Sequence, residues 1–191
     1  MIPRLVIASK NTDKIAEIEE ILAHAGLAQE IVTGLDWEDV EETGNTLEEN
    51  ALLKARGVFE ATGLPVIADD TGLEVDALGG APGVHTARFA GSGARYEDNV
   101  AKMLDVMRGV EDRSARFRSV VALLFPDGVE IVAHGAIDGV IAHEARGSVG
   151  FGYDPIFEVE GRTFGEMSAG EKNGLSHRAR ALRALVESLG I

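Results

Sequence analysis

Cysteine is absent from the 191 residues, which excludes disulfides and thiolate metal ligands. Its absence is compatible with the cytoplasm, where we expect the protein. No run of about 18 apolar residues occurs, so no membrane span is expected. The opening Met1–Ala8 stretch is too short and too quickly polar for a signal peptide and is expected to form a first strand. Three catalytic signatures are also missing. There is no G-x-x-x-x-G-K-[ST] phosphate loop and no G-x-S-x-G nucleophile elbow. His143-Glu144 has Gly147 where a zincin helix needs its second histidine. Positive charge is scarce: 18 Lys and Arg stand against 32 Asp and Glu, a formal net charge of −14. Such a field repels DNA, RNA and anionic lipid, and no Lys/Arg-rich block offsets it. Nucleic acid and membranes are therefore not expected as partners. A polyanionic ligand must enter a local basic pocket, helped by a divalent cation.

What is present is ordinary globular composition, 45% hydrophobic and 26% charged. The length suits one domain over 1–191, or one domain with two lobes. No repeat, low-complexity tract or linker interrupts it. Many of the 23 glycines cluster at 79–93 and 135–152, where loops are expected. Residues 4–8 read as a buried strand. Ile15, Ile18, Ile21, Leu22 and Ala25 follow helical spacing after Asn11-Thr12, and Gly26 ends the run. Thr46 and Glu49 form a capping box for a helix through Leu52, Ala55 and Phe59 to Gly63. Pro65–Ala68 reads as a short strand ending in an Asp69-Asp70-Thr71-Gly72 turn. Val100, Met103, Leu104 and Met107 mark another helix. Phe117–Phe125 and Val129–Ala133 flank a Pro-Asp-Gly turn, and Phe157–Val159 and Arg162–Phe164 flank Glu160-Gly161. Ser176 caps a last helix with Ala179, Leu182, Leu185, Val186 and Leu189 on one face. The fold class is α/β: a mixed, twisted central sheet with flanking helices, in two lobes around an active-site cleft.

Four stretches carry chemistry, and each has an ordinary structural reading beside the functional one. Ser9-Lys10-Asn11-Thr12-Asp13-Lys14 joins a strand to a helix N-terminus. Free amides, helix dipole and two lysines make an anion site there, unless it is only a capped loop. Asp69-Asp70 offers adjacent carboxylates for Mg²⁺ and an oriented water, or else an Asp-rich turn. Glu41-Glu42 adds a further carboxylate or merely complements the dipole of the next helix, which carries Lys54. Gly147–Pro155 offers Phe151 for stacking on a base and Asp154 as an acceptor, or is a Gly-rich turn with Phe151 in the core. Lys172, His177 and Arg178 gather near the start of the last helix. Cations there oppose the dipole, which hints at a ligand unless both are solvated.

Together these stretches resemble the inosine triphosphate pyrophosphatase family, the Ham1-like non-canonical purine triphosphatases. The resemblance runs through Ser9-x-Asn11-x-x-Lys14, Glu42-Thr43-Gly44, Glu49-Asn50-Ala51, Lys54-Ala55, Ala68-Asp69-Asp70-Thr71-Gly72-Leu73, Leu78–Val84, Gly150–Pro155 and Ser176-His177-Arg178. It covers nearly the whole chain. It implies a homodimer that hydrolyses ITP, dITP and XTP to the monophosphate and pyrophosphate. Ser9, Asn11 and Lys14 would bind the triphosphate, with Lys54 and Lys172 near it and Lys10 contributing loop backbone alone. Glu42 and Asp70 would hold Mg²⁺. Asp70 would activate water, with Lys54 assisting and Asp69 supporting the site. Phe151 would stack on the purine, Asp154, His177 and Arg178 would read its edge, and Thr71, Gly152 and Tyr153 complete the set. Hypoxanthine and xanthine present N1–H and a 6-oxo group, whereas adenine reverses both. A dry site built for one pattern can reject the other by about 10⁴. Two other readings stay open: a triphosphatase of this fold with another base preference, and a non-catalytic nucleotide sensor. An acidic interaction module lacks the exposed amphipathic segment or charge block it needs.

Overall fold

The computed structural model describes residues 1–190. Its strands are β1 (Ile2–Ile7), β2 (Ala28–Val32), β3 (Val66–Val75), β4 (Pro82–Gly83), β5 (Ser114–Leu124), β6 (Glu130–Ile141), β7 (Phe157–Val159) and β8 (Arg162–Thr163). Its helices are α1 (Thr12–Ala25), α2 (Leu47–Thr62), α3 (Tyr96–Val106), α4 (Ala169–Leu175) and α5 (His177–Ser188). The strands form one mixed sheet in the order β2-β1-β3-β5-β6-β7-β8, with β4 paired to β3. β1 runs parallel to both β2 and β3. Parallel neighbours need long crossovers, and α1 and α2 supply them.

The chain divides into two compact units: Met1–Asp70, Ser119–Gly135 and His177 onward form the first, Thr71–Arg118 and Ala136–Ser176 the second. The first unit follows from strand alternation. Successive strand residues point to opposite faces. Leu5 and Ile7 of β1, Ile67 of β3, and Val121 and Leu123 of β5 join α1 and α5 in one core. Val6, Ala8, Val66, Ala68, Val120, Ala122 and Leu124 join α2 in another. Strands covered on both faces read as continuous apolar runs, which is how residues 4–8 look in the sequence. In the second unit, Met103 and Met107 of α3 pack with Phe117, Phe157 and Phe164. The Phe117 and Phe157 rings meet edge-on at 4.6 Å.

Local signals set the helix ends. Asn11 Oδ1 accepts from the Asp13 and Lys14 amides. The Thr46–Glu49 capping box is formed as expected. Gly26 and Gly63 close α1 and α2 in the left-handed conformation, which costs glycine little.

Two expectations need correction. Asp69-Asp70-Thr71-Gly72 is no strand-end turn; it lies inside β3. Partners for its carboxylates, described below, let the strand continue through it. The glycines after residue 135 do not all mark loops, because Gly135 and Gly139 sit in β6. There they allow close approach: a Cβ at Gly135 would lie 2.2 Å from the His177 carbonyl oxygen of α5, and one at Gly139 2.5 Å from that of Glu158. β2 and α4 carry too few apolar positions for periodicity to announce them. α4 starts from a capping box in which Ser168 accepts from the Glu171 amide.

Candidate active site

Alternation along β3 decides where its two acids go. Ile67 and Asp69 share one face, Ala68 and Asp70 the other. Asp69, 3% exposed, meets Lys14 of α1, with Nζ 3.3 Å from Oδ2. It also meets Arg178 of α5, whose Nε donates to Oδ2 at 3.1 Å. Arg178 is equally buried and also pairs with Glu17. Burial opposes charge on Asp69, but Lys14, Arg178 and Lys54 outweigh it and hold the carboxyl well below the usual carboxylate range.

On the opposite face, Lys54 Nζ of α2 lies 3.0 Å from Asp70 Oδ1 and 3.1 Å from Glu42 Oε1. Two carboxylates thus converge on one ammonium. The second oxygen of Asp70, Oδ2, is buried and has no partner among the described residues. Burial pushes the Asp70 carboxyl up; Lys54 and Lys14 oppose this, and Glu42 adds to it. Burial lowers the Lys14 ammonium, only partly offset by Asp69. The Ser9–Lys14 loop precedes α1, with Ser9 Oγ accepting from the Asn11 amide at 3.2 Å. Lys10 turns its side chain away to the Trp37 carbonyl at 2.8 Å and Asp39 at 2.6 Å. Its side chain is thus engaged within the protein.

The second unit gathers a different cluster. Asp154 Oδ2 accepts from the Phe151 amide at 2.8 Å and from Lys172 Nζ at 2.5 Å. Lys172 Nζ also lies 4.8 Å from the Phe151 ring centroid, a cation–π geometry. Asp154 and Lys172 are both 3% exposed, while Phe151 is half-buried. Tyr96, which the sequence did not single out, lies with its ring centroid 5.8 Å from that of Phe151. Gly150 lets the carboxylate fold beneath the loop, since a Cβ there would lie 2.0 Å from Asp154 Oδ2. Tyr153 is buried and donates its hydroxyl to the Thr86 carbonyl at 3.0 Å, a contact that braces the loop. Gly152 adopts a positive φ of 64° in the same turn, and Thr71 is half-buried in β3.

The model of the Ham1 family matches residues 5–188. The chain belongs to the Ham1 family. A relative from Symbiobacterium thermophilum, named dITP/XTP pyrophosphatase, is 51% identical over 97% of this chain and 94% of its own length. One of the same name from Streptomyces coelicolor is 48% identical over 96% and 95%. A solved HAM1 protein from Coxiella burnetii superposes with a TM-score of 0.87 at 41% identity, covering 99% of both chains. Two residues expected at the ligand have partners within the protein. Lys172, expected beside the triphosphate, packs on Phe151 and pairs with Asp154, the residues expected to hold the base. Arg178, expected to read the base edge, directs Nε, Nη1 and Nη2 to Asp69 and Glu17. Both placements follow from elements the sequence left undefined: α4, which carries Lys172, and Asp69 as an internal strand residue. His177 is buried at the start of α5.

Proposed function

We propose that this Ham1-family protein hydrolyses the non-canonical purine triphosphates ITP, dITP and XTP to the nucleoside monophosphate and pyrophosphate. The substrate class rests on relatives named dITP/XTP pyrophosphatase. The chemistry rests on one observation: Glu42 and Asp70 converge on a single cationic nitrogen while Asp70 Oδ2 is buried with no partner among the described residues. That donor set suits Mg²⁺. No group of three or more His, Asp or Glu able to hold a metal occurs among the described residues. Mg²⁺, however, is commonly held by one or two carboxylates and completed by water and substrate phosphates. When bound, it supplies Lewis-acid charge and a polarised water.

The side chains then divide the work. Asp70, with its raised carboxyl, takes the proton as water oxygen attacks the α-phosphorus and the bond to the β-phosphate oxygen breaks. Lys54 and Lys14 offset charge on the phosphates, and Ser9, Asn11 and the loop backbone at Lys10 hold them at the α1 N-terminus, joined by Thr71 next to Asp70 in β3. Asp69 and Arg178 keep Lys14 and β3 in place. In the second unit Phe151 stacks on the purine and Gly152 lets the loop backbone approach it. Asp154, Lys172 and Tyr153 hold that loop, while Asp154 presents the acceptor for N1–H of a 6-oxo purine and His177 and Arg178 the donors for its O6.

The family resemblance further suggests a homodimer in the cytoplasm, checked by sedimentation and cell fractionation. No helix among the described residues is long and apolar enough to cross a membrane. The deciding assay follows pyrophosphate release from ITP, XTP, ATP and GTP with Mg²⁺ or EDTA. Fast, Mg²⁺-dependent release from ITP and XTP is expected, with ATP and GTP slower by orders of magnitude. Release of orthophosphate would move the attack to the γ-phosphorus and overturn the mechanism.

A further inference from the structure

Glu42 lies in a segment without regular secondary structure, Trp37–Asn45, yet its carboxylate is held 3.1 Å from Lys54 Nζ. Irregular backbone keeps a side chain in place only where it is tethered. α2 faces this segment with Asn50 and Lys54, four residues apart and so on one helix face. Asn50 is fully buried, and its Oδ1 accepts from the Gly44 amide at 2.8 Å. The approach is close: a Cβ at Gly44 would lie 2.6 Å from Asn50 Oδ1 and 2.6 Å from Glu49 Cβ. Asn50 Nδ2 is buried with no partner among the described residues. Half of this amide is thus a burden to the core, and its oxygen is the useful half. Two more ties hold the segment. Lys10 bonds the Trp37 carbonyl and Asp39. Val40 rests on α2 at Gly57, where a Cβ would lie 2.6 Å from Val40 Cγ2.

We infer that Asn50 is a positioning residue: by holding Gly44 it fixes the segment that carries Glu42, and so sets the affinity for the divalent cation. The inference rests on the proposed role of Glu42 as a metal-holding carboxylate. Supporting groups of this kind tune metal affinity through the ligands they orient. Mn²⁺ alone, titrated into the intact chain and followed by its free-ion paramagnetic resonance signal, tests it without turnover. Glu42→Gln weakens Mn²⁺ binding, and Asn50→Ala weakens it on the order of tenfold. Asn50→Asp, which keeps an acceptor oxygen for Gly44, restores most of the loss. A purely structural asparagine would lower the melting temperature of Asn50→Ala and leave Mn²⁺ affinity unchanged. That outcome, alongside weakened binding by Glu42→Gln, overturns the inference alone. Unchanged binding by Glu42→Gln overturns the metal role of Glu42 and the inference with it. Should Asn50→Ala fail to fold, Lys10→Met frees the other end of the segment from an exposed position. Wild-type Mn²⁺ affinity there overturns the docked segment as the determinant.

Discussion

Asp69 and Asp70 are adjacent in sequence and opposite in surroundings. Asp70 keeps one oxygen on Lys54 and one buried with no partner among the described residues, which suits the base proposed above. Asp70→Asn keeps the shape and removes the base, so turnover of ITP should fall by several orders of magnitude while circular dichroism and the thermal midpoint stay near wild type. Near-normal turnover would exclude Asp70 as the base. Asp69 is instead a buried counter-charge to Arg178 and Lys14. Breaking a buried pair from one side strands the other charge, so Asp69→Ala should lose about 3–5 kcal/mol of stability in urea melts. A loss of under about 1 kcal/mol would place the pair in the class of exposed bridges. The two acids were legible as a constellation because their neighbours are distinctive. Their division was not, since it depends on which side of β3 each neighbour packs.

At the scale of elements, helix boundaries were readable wherever a side chain caps them. Asn11, Thr46, Gly26 and Gly63 announce α1 and α2 through chemistry local in sequence. α4 was not readable, because its seven residues, Ala169–Leu175, show no apolar stripe. It is held instead by contacts distant in sequence, Lys172 to Asp154 above all. β6 was cut short in the reading because Gly135 and Gly139 signal turns locally, whereas a close helix and strand require them globally. The N-terminus of α4 also titrates. Hydrogen bonds from Arg162, then from the Ser168 amide and hydroxyl, lower the Glu171 carboxyl to about 2. A depressed carboxyl contributes its stabilisation above its ordinary value and loses it as pH falls through the folded value. The window therefore runs from about 4.5 down to about 2. A carboxyl-carbon NMR titration should find Glu171 still ionised at pH 3. A midpoint near its ordinary value would mean that the box around Ser168 and Arg162 does not persist in solution.

For the whole molecule, β3, β5 and β6 each begin in one unit and end in the other, with boundaries at Asp70, Arg118 and Gly135. Units that share strands cannot easily melt apart. Calorimetry should show one transition with equal calorimetric and van't Hoff enthalpies, whereas two resolved peaks would mean independent units. The sequence suggested lobes but not this sharing, because separation along the chain says nothing about where a strand changes company. The alternation along β3 also bears on how such chains can diverge in length. An insertion or deletion of one residue between Val66 and Asp69 would turn the following side chains through the sheet. It would hand the carboxylate proposed as the base to the arginine side and the counter-charge to the lysine of α2. Length changes in this lineage are therefore expected to collect in the connections and to spare this strand, even where its individual residues are free to drift.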